Sequence, residues 1–283
     1  MTVNLEKKTV KTELLEMILG KGCKILNITD TNIIGSLSMN IKSQLRVVNL
    51  TNSSTRWYPE YIGVLEELLF SSCCLQYLAM DGLGLTPKMA QSICKNGKTL
   101  QLLNLDKCNI ITLSMKNRSR RRMQEIFECC QELKDINFNG VKGLDHDDLK
   151  YLAEIIPPNV EELNLGCLSF MDYHVKVLLS RCKKIKKLSL QSMWLPITDE
   201  SLKNISHYLN LTLEELSFVA SQYTTVTGLS ALKNMPKLKR LNLYNSIESD
   251  CEEIQKLRQY LPHLMIRTSY PRESLKKKYS LTK

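Results

Sequence analysis

Leu238-Lys239-Arg240-Leu241-Asn242-Leu243 carries apolar side chains at its first, fourth and sixth places. The same arrangement stands at Leu45-Arg46-Val47-Val48-Asn49-Leu50, Leu100-Gln101-Leu102-Leu103-Asn104-Leu105 and Val160-Glu161-Glu162-Leu163-Asn164-Leu165. Its fourth place can be followed through Val3, Leu26, Val48, Leu78, Leu103, Ile136, Leu163, Leu188, Leu216, Leu241 and Leu264, at intervals of 22 to 33 residues. One match is weak, since three apolar places coincide by chance in roughly 8% of windows. The fifth place removes the ambiguity. It is Asn4, Asn27, Asn49, Asn104, Asn137, Asn164 and Asn242, with Ser189 and Ser217 in two further copies and Ala79 and Met265 in the others.

A short strand has a side-chain period of two, so the fourth and sixth places face a core and the fifth faces the open side. Helical patterns follow the strands at Glu60–Ser72, Pro87–Lys95, Arg121–Cys130, Asp147–Ile156, His174–Arg181, Asp199–Leu209 and Cys251–Tyr260. In Asp147–Ile156 the apolar residues Leu149, Leu152 and Ala153 fall on one stripe. Thr86 and Thr198 stand at cap positions, Pro87 at a first helical position, and Asp199 and Glu200 in a first turn. Each period is therefore a strand plus a helix that buries its apolar face only by stacking on its neighbours. The expected fold class is α/β, a leucine-rich-repeat solenoid or horseshoe with a parallel concave sheet and convex helices. About eleven repeats would fill residues 1–269 as one continuous array, and 270–283 would form a short basic tail.

The 283 residues hold 39 Lys plus Arg against 29 Asp plus Glu, a net charge of +10, with 43% hydrophobic residues and ten cysteines. That is globular composition, and it excludes wholesale disorder. No apolar run reaches the roughly 18 residues of a membrane span. Glu6, Glu13 and Glu16 stand where a signal peptide needs its apolar region. Six N-x-S/T sequons, at Asn27, Asn49, Asn52, Asn117, Asn204 and Asn210, then read as chance, and the cysteines as reduced thiols. The charge invites a nucleic-acid reading. Its clusters, Arg118–Arg122, Lys183–Lys187 and Lys276–Lys278, are far apart and lack interleaved aromatic residues. Only Lys187 is expected on the concave sheet. Arg118–Arg122 reads as a loop insertion in the longest repeat.

No catalytic constellation emerges. Cys130 and Cys182 sit three residues before Leu133 and Ile185, where a helix end packs on the next strand, and Cys108 sits in the turn leaving a strand. Buried structural thiols are expected there. Cys73-Cys74 and Cys129-Cys130 are vicinal and no C-x-x-C pair exists, so zinc and redox motifs are not supported. His146, His174 and His207 sit at helix starts or on convex helices, as caps or surface residues, and Gly82-Leu83-Gly84 lacks the G-x-G-x-x-G continuation. No catalytic residue, metal or cofactor is expected.

Ile197-Thr198-Asp199-Glu200-Ser201-Leu202 resembles the I-T-D-x-x-L of cysteine-containing leucine-rich repeats. Leu178 through Leu190 resembles that family's L-L-x-x-C-x-x-L-x-x-L-x-L, with Cys182 in place. This repeat type is that of the F-box/leucine-rich-repeat proteins. Asp81-Gly82-Leu83-Gly84-Leu85, Ala90 through Asn96 and Leu261-Pro262-His263-Leu264-Met265-Ile266 extend the resemblance along nearly the whole chain. It implies a non-catalytic substrate-recognition subunit of an SCF-type cullin-RING ubiquitin ligase, acting in the nucleus and cytoplasm in cell-cycle proteolysis. A target protein would lie on the concave face, with a cyclin-kinase accessory subunit beside it in some family members. The Skp adaptor and cullin would bind only through an F-box, and no complete F-box is readable here. Thr12–Leu19 has a faint F-box look, but its spacing makes it a first-repeat helix. The family's long C-terminal tail is also shortened or divergent.

The third, fifth and seventh places point outward. In the last repeats they are Lys187, Ser189 and Gln191; Glu215, Ser217 and Val219; Arg240, Asn242 and Tyr244; and His263, Met265 and Arg267. Tyr, Arg and amide groups suit a protein interface. The partner-binding candidates are Lys187, Ser189, Gln191, Glu215, Ser217, Arg240, Asn242, Tyr244, His263 and Arg267. Earlier repeats contribute Tyr77, Asp81 and Asp106, a more acidic stretch. Two alternatives stand beside the ligase reading: a free-standing leucine-rich adaptor, and a basic nucleic-acid-binding solenoid.

Overall fold

The computed structural model describes residues 1–38, 41–51, 59–110, 118–191, 197–220, 223–244 and 252–268. The chain divides into two compact units. Among the described residues, Met1–Leu133 and Val141–Gly143 build the first, and Lys134–Gly140 with 144–268 build the second.

The first unit holds five parallel strands: β1 (Thr2–Asn4), β2 (Ile25–Asn27), β3 (Val47–Asn49), β4 (Tyr77–Ala79) and β5 (Leu102–Asn104). Its helices are α1 (Thr12–Gly20), α2 (Pro59–Phe70), α3 (Pro87–Lys95) and α4 (Arg118–Cys129). Two short parallel ladders, Thr9–Lys11 with Asn32–Ile34 and Gly84–Leu85 with Asn109–Ile110, follow the turns that leave the strands. The second unit holds β6 (Asp135–Asn137), β7 (Glu162–Asn164), β8 (Lys187–Leu190), β9 (Glu215–Val219), β10 (Arg240–Tyr244) and β11 (Met265–Arg267), again parallel and in chain order. Its helices are α5 (His146–Ile155), α6 (Asp172–Arg181), α7 (Asp199–Leu209), α8 (Val226–Ala231) and α9 (Glu252–Tyr260).

The register follows the sequence repeat. Val3, Leu26, Val48, Leu78 and Leu103 stand side by side in the first unit, and Ile136, Leu163, Leu188, Leu216 and Leu241 in the second. All but Val3, in an outermost strand, are buried. The last strand departs from expectation. Leu241 pairs with Ile266, so the last repeat is shifted by two residues from the Leu264 alignment. The shift keeps the parity of the strand, which is why the pattern alone did not expose it.

The fifth-place asparagines turn the chain. Oδ1 of Asn27, Asn49, Asn104, Asn137 and Asn164 each accepts the backbone N–H two residues on, at 2.9–3.1 Å. This Asx turn ends the strand. Three places after the fifth-place residue, an asparagine in every case but Ala79, the backbone enters the left-handed region at Lys7, Asp30, Gly82, Lys107, Gly140 and Cys167, with φ between 49° and 76°. Four of those six are not glycine, and each carries a left-handed cost of about 1–2 kcal/mol. The turn aims the next N–H at the following repeat: Asp30 donates to Thr51 O, Gly82 to Asp106 O and Gly140 to Gly166 O, at 2.8–3.3 Å. A further hydrogen bond between repeats beyond the strand offsets that strain.

Helix starts carry the expected caps. Thr86 Oγ1 accepts from Met89 N–H and Thr198 Oγ1 from Glu200 N–H, and Asp145, a cap not expected from the sequence, forms a capping box with Asp148. Asp172, at the start of α6, accepts from the N–H and hydroxyl of Thr198, and Asp199 does the same for Thr225. The acid in each I-T-D-type start thus holds the cap of the next repeat while it meets its own helix dipole. The structural reading of the cysteines holds for Cys108, Cys130 and Cys182, all fully buried. Cys130 and Cys182 direct Sγ to the carbonyls of Ile93 and Pro157, at 3.7 and 3.6 Å, and Cys108 to that of Met80. Burial pushes the thiols of Cys108 and Cys130 up to about 12 and that of Cys182 to about 11, so they stay neutral.

The arginine run is a correction. Arg118–Arg122 does not lie in a loop; its backbone forms the first turns of α4. Arginine is a good helix former, and the helix begins earlier than its apolar stripe alone indicates. The expected tail, with Lys276–Lys278, lies outside the described residues.

Candidate protein-binding face

β8 to β11 bring the predicted outward residues together, and their register defines two columns. The third-place column runs Asp135, Glu162, Lys187, Glu215, Arg240, Met265, and the fifth-place column Asn137, Asn164, Ser189, Ser217, Asn242, Arg267. The third-place side chains are stitched to one another. Lys187 Nζ meets Glu162 Oε1 at 2.7 Å. Glu215 receives Arg240 through Nη2 at 2.7 Å and Nε at 2.9 Å. At the second place, just before each strand, Lys186 meets Glu161 and Lys239 meets Glu214, at 2.6 and 2.7 Å. The Lys239 ammonium holds the half-buried Glu214 carboxyl below its usual range, and Glu161 raises Lys186. Charge alternates in sign from Glu161 to Lys239 at the second place and from Glu162 to Arg240 at the third, so Lys186 and Lys187 of the cluster that suggested nucleic acid are met by carboxylates. Lys184 is likewise engaged, with Asn159 Oδ1 at 2.7 Å.

The fifth-place column is more enclosed than expected. Asn242 and Ser217 are buried, because adjacent outward side chains of closely spaced parallel strands cover them. Asn242 Nδ2 donates to Ser217 Oγ at 2.9 Å and to Glu215 Oε1 at 3.2 Å. Tyr244 is buried over this pair, with hydrogen bonds to Gln191 and Ser217. Burial, followed by the Glu215 charge, raises its phenol, and those two hydrogen bonds oppose the rise. Ser189 Oγ is buried at the edge of this group without a hydrogen-bond partner. Val219 is buried.

The two-residue shift of β11 relocates the last candidates. His263 is exposed in the turn before the strand and not on the sheet. Met265 takes the third place opposite Arg240 and is 52% exposed; Arg267 takes the fifth opposite Asn242 and is exposed. The face thus consists of half-buried Lys187, Gln191, Glu215 and Arg240, with Lys187 held by Glu162, Gln191 by Tyr244, and Glu215 by Arg240, and with Met265 and Arg267 open at one edge. Sequence reasoning missed the ladder partners Glu161, Glu162, Lys186, Glu214 and Lys239. Their signal was the alternation of sign from repeat to repeat.

In the first unit the outward row is Thr2, Ile25, Val47, Tyr77 and Leu102. Tyr77 is 43% exposed, as its outward place predicts. Asp81 is half-buried and Asp106 is buried and paired with Lys107 at 3.2 Å.

Away from the sheet, His174 is fully buried in α6. Its Nδ1 accepts the Met171 N–H at 2.9 Å, so of the two roles expected for the dispersed histidines, cap or surface, it takes the first. Burial, helped by the neighbouring His146 and Lys150, lowers it to about 4 and keeps it neutral. Among the described residues no cluster of His, Cys, Asp and Glu could hold a metal ion, and no helix is long and apolar enough to cross a membrane.

The family model of the SKP2 LRR domain matches residues 13–272. No curated protein matches the chain as a relative. A solved leucine-rich-repeat protein of Leptospira interrogans shares 15% identity over 92% of this chain and 89% of its own length, with a TM-score of 0.36. The family match covers the register, the Asx turns and the I-T-D starts described above, and it agrees with the sequence resemblance. The chain carries an α/β leucine-rich-repeat solenoid, a protein-interaction repeat, and it belongs to the SKP2 LRR domain family.

Proposed function

We propose that this protein is the substrate-recognition component of an SCF-type cullin-RING ubiquitin ligase, or the repeat region of one. The observation that carries the reading is the family match over residues 13–272. Target proteins would bind on the outward sheet face, in the second unit at Lys187, Gln191, Glu215, Arg240 and Arg267, with a cyclin-kinase accessory subunit sharing that surface. The repeats would do no chemistry. They would hold a target lysine near the ubiquitin-conjugating enzyme, so that acceleration comes from proximity supplied by the assembly. The target would then pass to the proteasome, in nucleus or cytoplasm.

The braced ladder suits this role. Side chains already fixed by cross-strand ion pairs lose less conformational freedom when a partner arrives. Purification of the tagged endogenous protein tests the reading. The Skp adaptor and a cullin should co-purify, and bound partners should accumulate when the proteasome is blocked. Purification of partners without adaptor or cullin, at unchanged abundance, would leave a free-standing adaptor. Polyanion binding that falls steeply with salt, with no protein partner, would instead support the nucleic-acid reading.

A further inference from the structure

We infer that the outward face of the first unit is a docking site for an acidic, apolar segment of a protein partner. This inference concerns the first unit alone and does not depend on the ligase reading. Ile25, Val47, Tyr77 and Leu102 stand in register on four neighbouring strands. Ile25 and Val47 are half-buried and Tyr77 is 43% exposed, while Leu102 closes the row at 9%. At the roughly 4.8 Å spacing of parallel strands the four side chains make an uncharged strip about 14 Å long.

The place just before each of these strands holds Lys24, Arg46, Gln76 and Gln101, with Lys24, Arg46 and Gln101 exposed. In the second unit the same place holds Glu161 and Glu214, which meet the lysines of adjacent repeats. Neither the second nor the third places of the first unit contain an acid. Lys24 and Arg46 therefore border the apolar strip without the alternating carboxylates that neutralise the other face. On the far side stand the acids Asp81 and Asp106, the latter paired with Lys107. A segment that buries apolar side chains on the strip then has one favourable orientation, with its carboxylates toward Lys24 and Arg46. In an extended segment alternate residues repeat every ~6.7 Å, so three alternating apolar residues span the strip. Tyr77 supplies the aromatic anchor on which such interfaces concentrate their binding energy.

The test is fluorescence anisotropy of the full chain with a labelled nine-residue peptide alternating Leu and Glu, against a counterpart alternating Leu and Lys. The Leu–Glu peptide should bind and the Leu–Lys peptide should not. Tyr77→Ala and Arg46→Glu should each weaken binding roughly tenfold, and Tyr77→Phe should retain it. Lys183→Glu, an exposed charge after α6, should change affinity less than twofold. Equal binding of the two peptides, or equal loss in Lys183→Glu and Arg46→Glu, would overturn the proposal as general charge attraction. No binding of the Leu–Glu peptide would also overturn it, as would binding gained only on removal of residues 269–283, which would make the chain's own terminus the occupant.

Discussion

In the first unit the third places read Thr2, Ile25, Val47, Tyr77 and Leu102; in the second they read Asp135, Glu162, Lys187, Glu215, Arg240 and Met265. The fourth places beneath them are interchangeable, every one a Val, Leu or Ile. One repeat geometry therefore carries an apolar strip in one unit and a self-neutralising charge ladder in the other. The inner face is dictated by packing against neighbouring repeats, so it repeats. The outer face is free of that demand, and its residue types report what it is for.

The largest effect should not distinguish the units at all. Leu103→Ala and Leu188→Ala each empty a buried fourth place, and each should cost about 2–5 kcal/mol in denaturant unfolding. A large cost in one unit and none in the other would break the claim of a common interior. Asn104→Ala and Asn137→Ala remove Asx turns at buried sites in the two units and should each cost about 1–3 kcal/mol. Unchanged stability would return the asparagines to the open side and to a binding role.

A smaller effect belongs to the second unit alone. His174 is held neutral at about 4 when folded, against an ordinary value of 6.5. Its folded value is depressed, so its contribution is complete above pH 6.5 and is lost as pH falls toward 4. At pH 5.5 wild type should have lost about 1 kcal/mol relative to pH 7.5 through this group, a loss that His174→Phe should not share. Parallel acid profiles for the two proteins would contradict the burial argument. The smallest effect tests the ladder. Glu215→Gln should cost roughly 0.2–1 kcal/mol at low salt, and less at 1 M salt. Val47→Ser, on the apolar strip, should show no salt dependence beyond wild type.

Much of the fold was legible because strand parity and helix stripes are local. Leu241-Asn242-Leu243 shows its inward and outward sides without any partner, and Thr86-Pro87 marks a helix start by its own chemistry. Where the local signal was degenerate, the reading failed. Leu264 and Ile266 have the same parity, so His263 was placed on the sheet although it lies in the preceding turn. The α4 start was missed because Arg118–Arg122 carries propensity but no apolar stripe. The site was less legible than the fold. That Asn242 and Ser217 would be covered depends on Tyr244 and on ion pairs between repeats about 25 residues apart. Such pairings appear only once the register is known.

Hydroxyl-radical footprinting of the chain, alone and bound to a partner recovered by the tagged purification, tests partner recognition on the sheet face most directly. Tyr77 and Met265 report the outward face, at 43% and 52% exposure, while Phe70, Tyr173 and Tyr260 report the helices at 47%, 39% and 59%. The account predicts that Tyr77, Met265 or both lose reactivity on binding while the three helix residues keep theirs. Protection confined to Phe70, Tyr173 and Tyr260, with Tyr77 and Met265 unchanged, would contradict it.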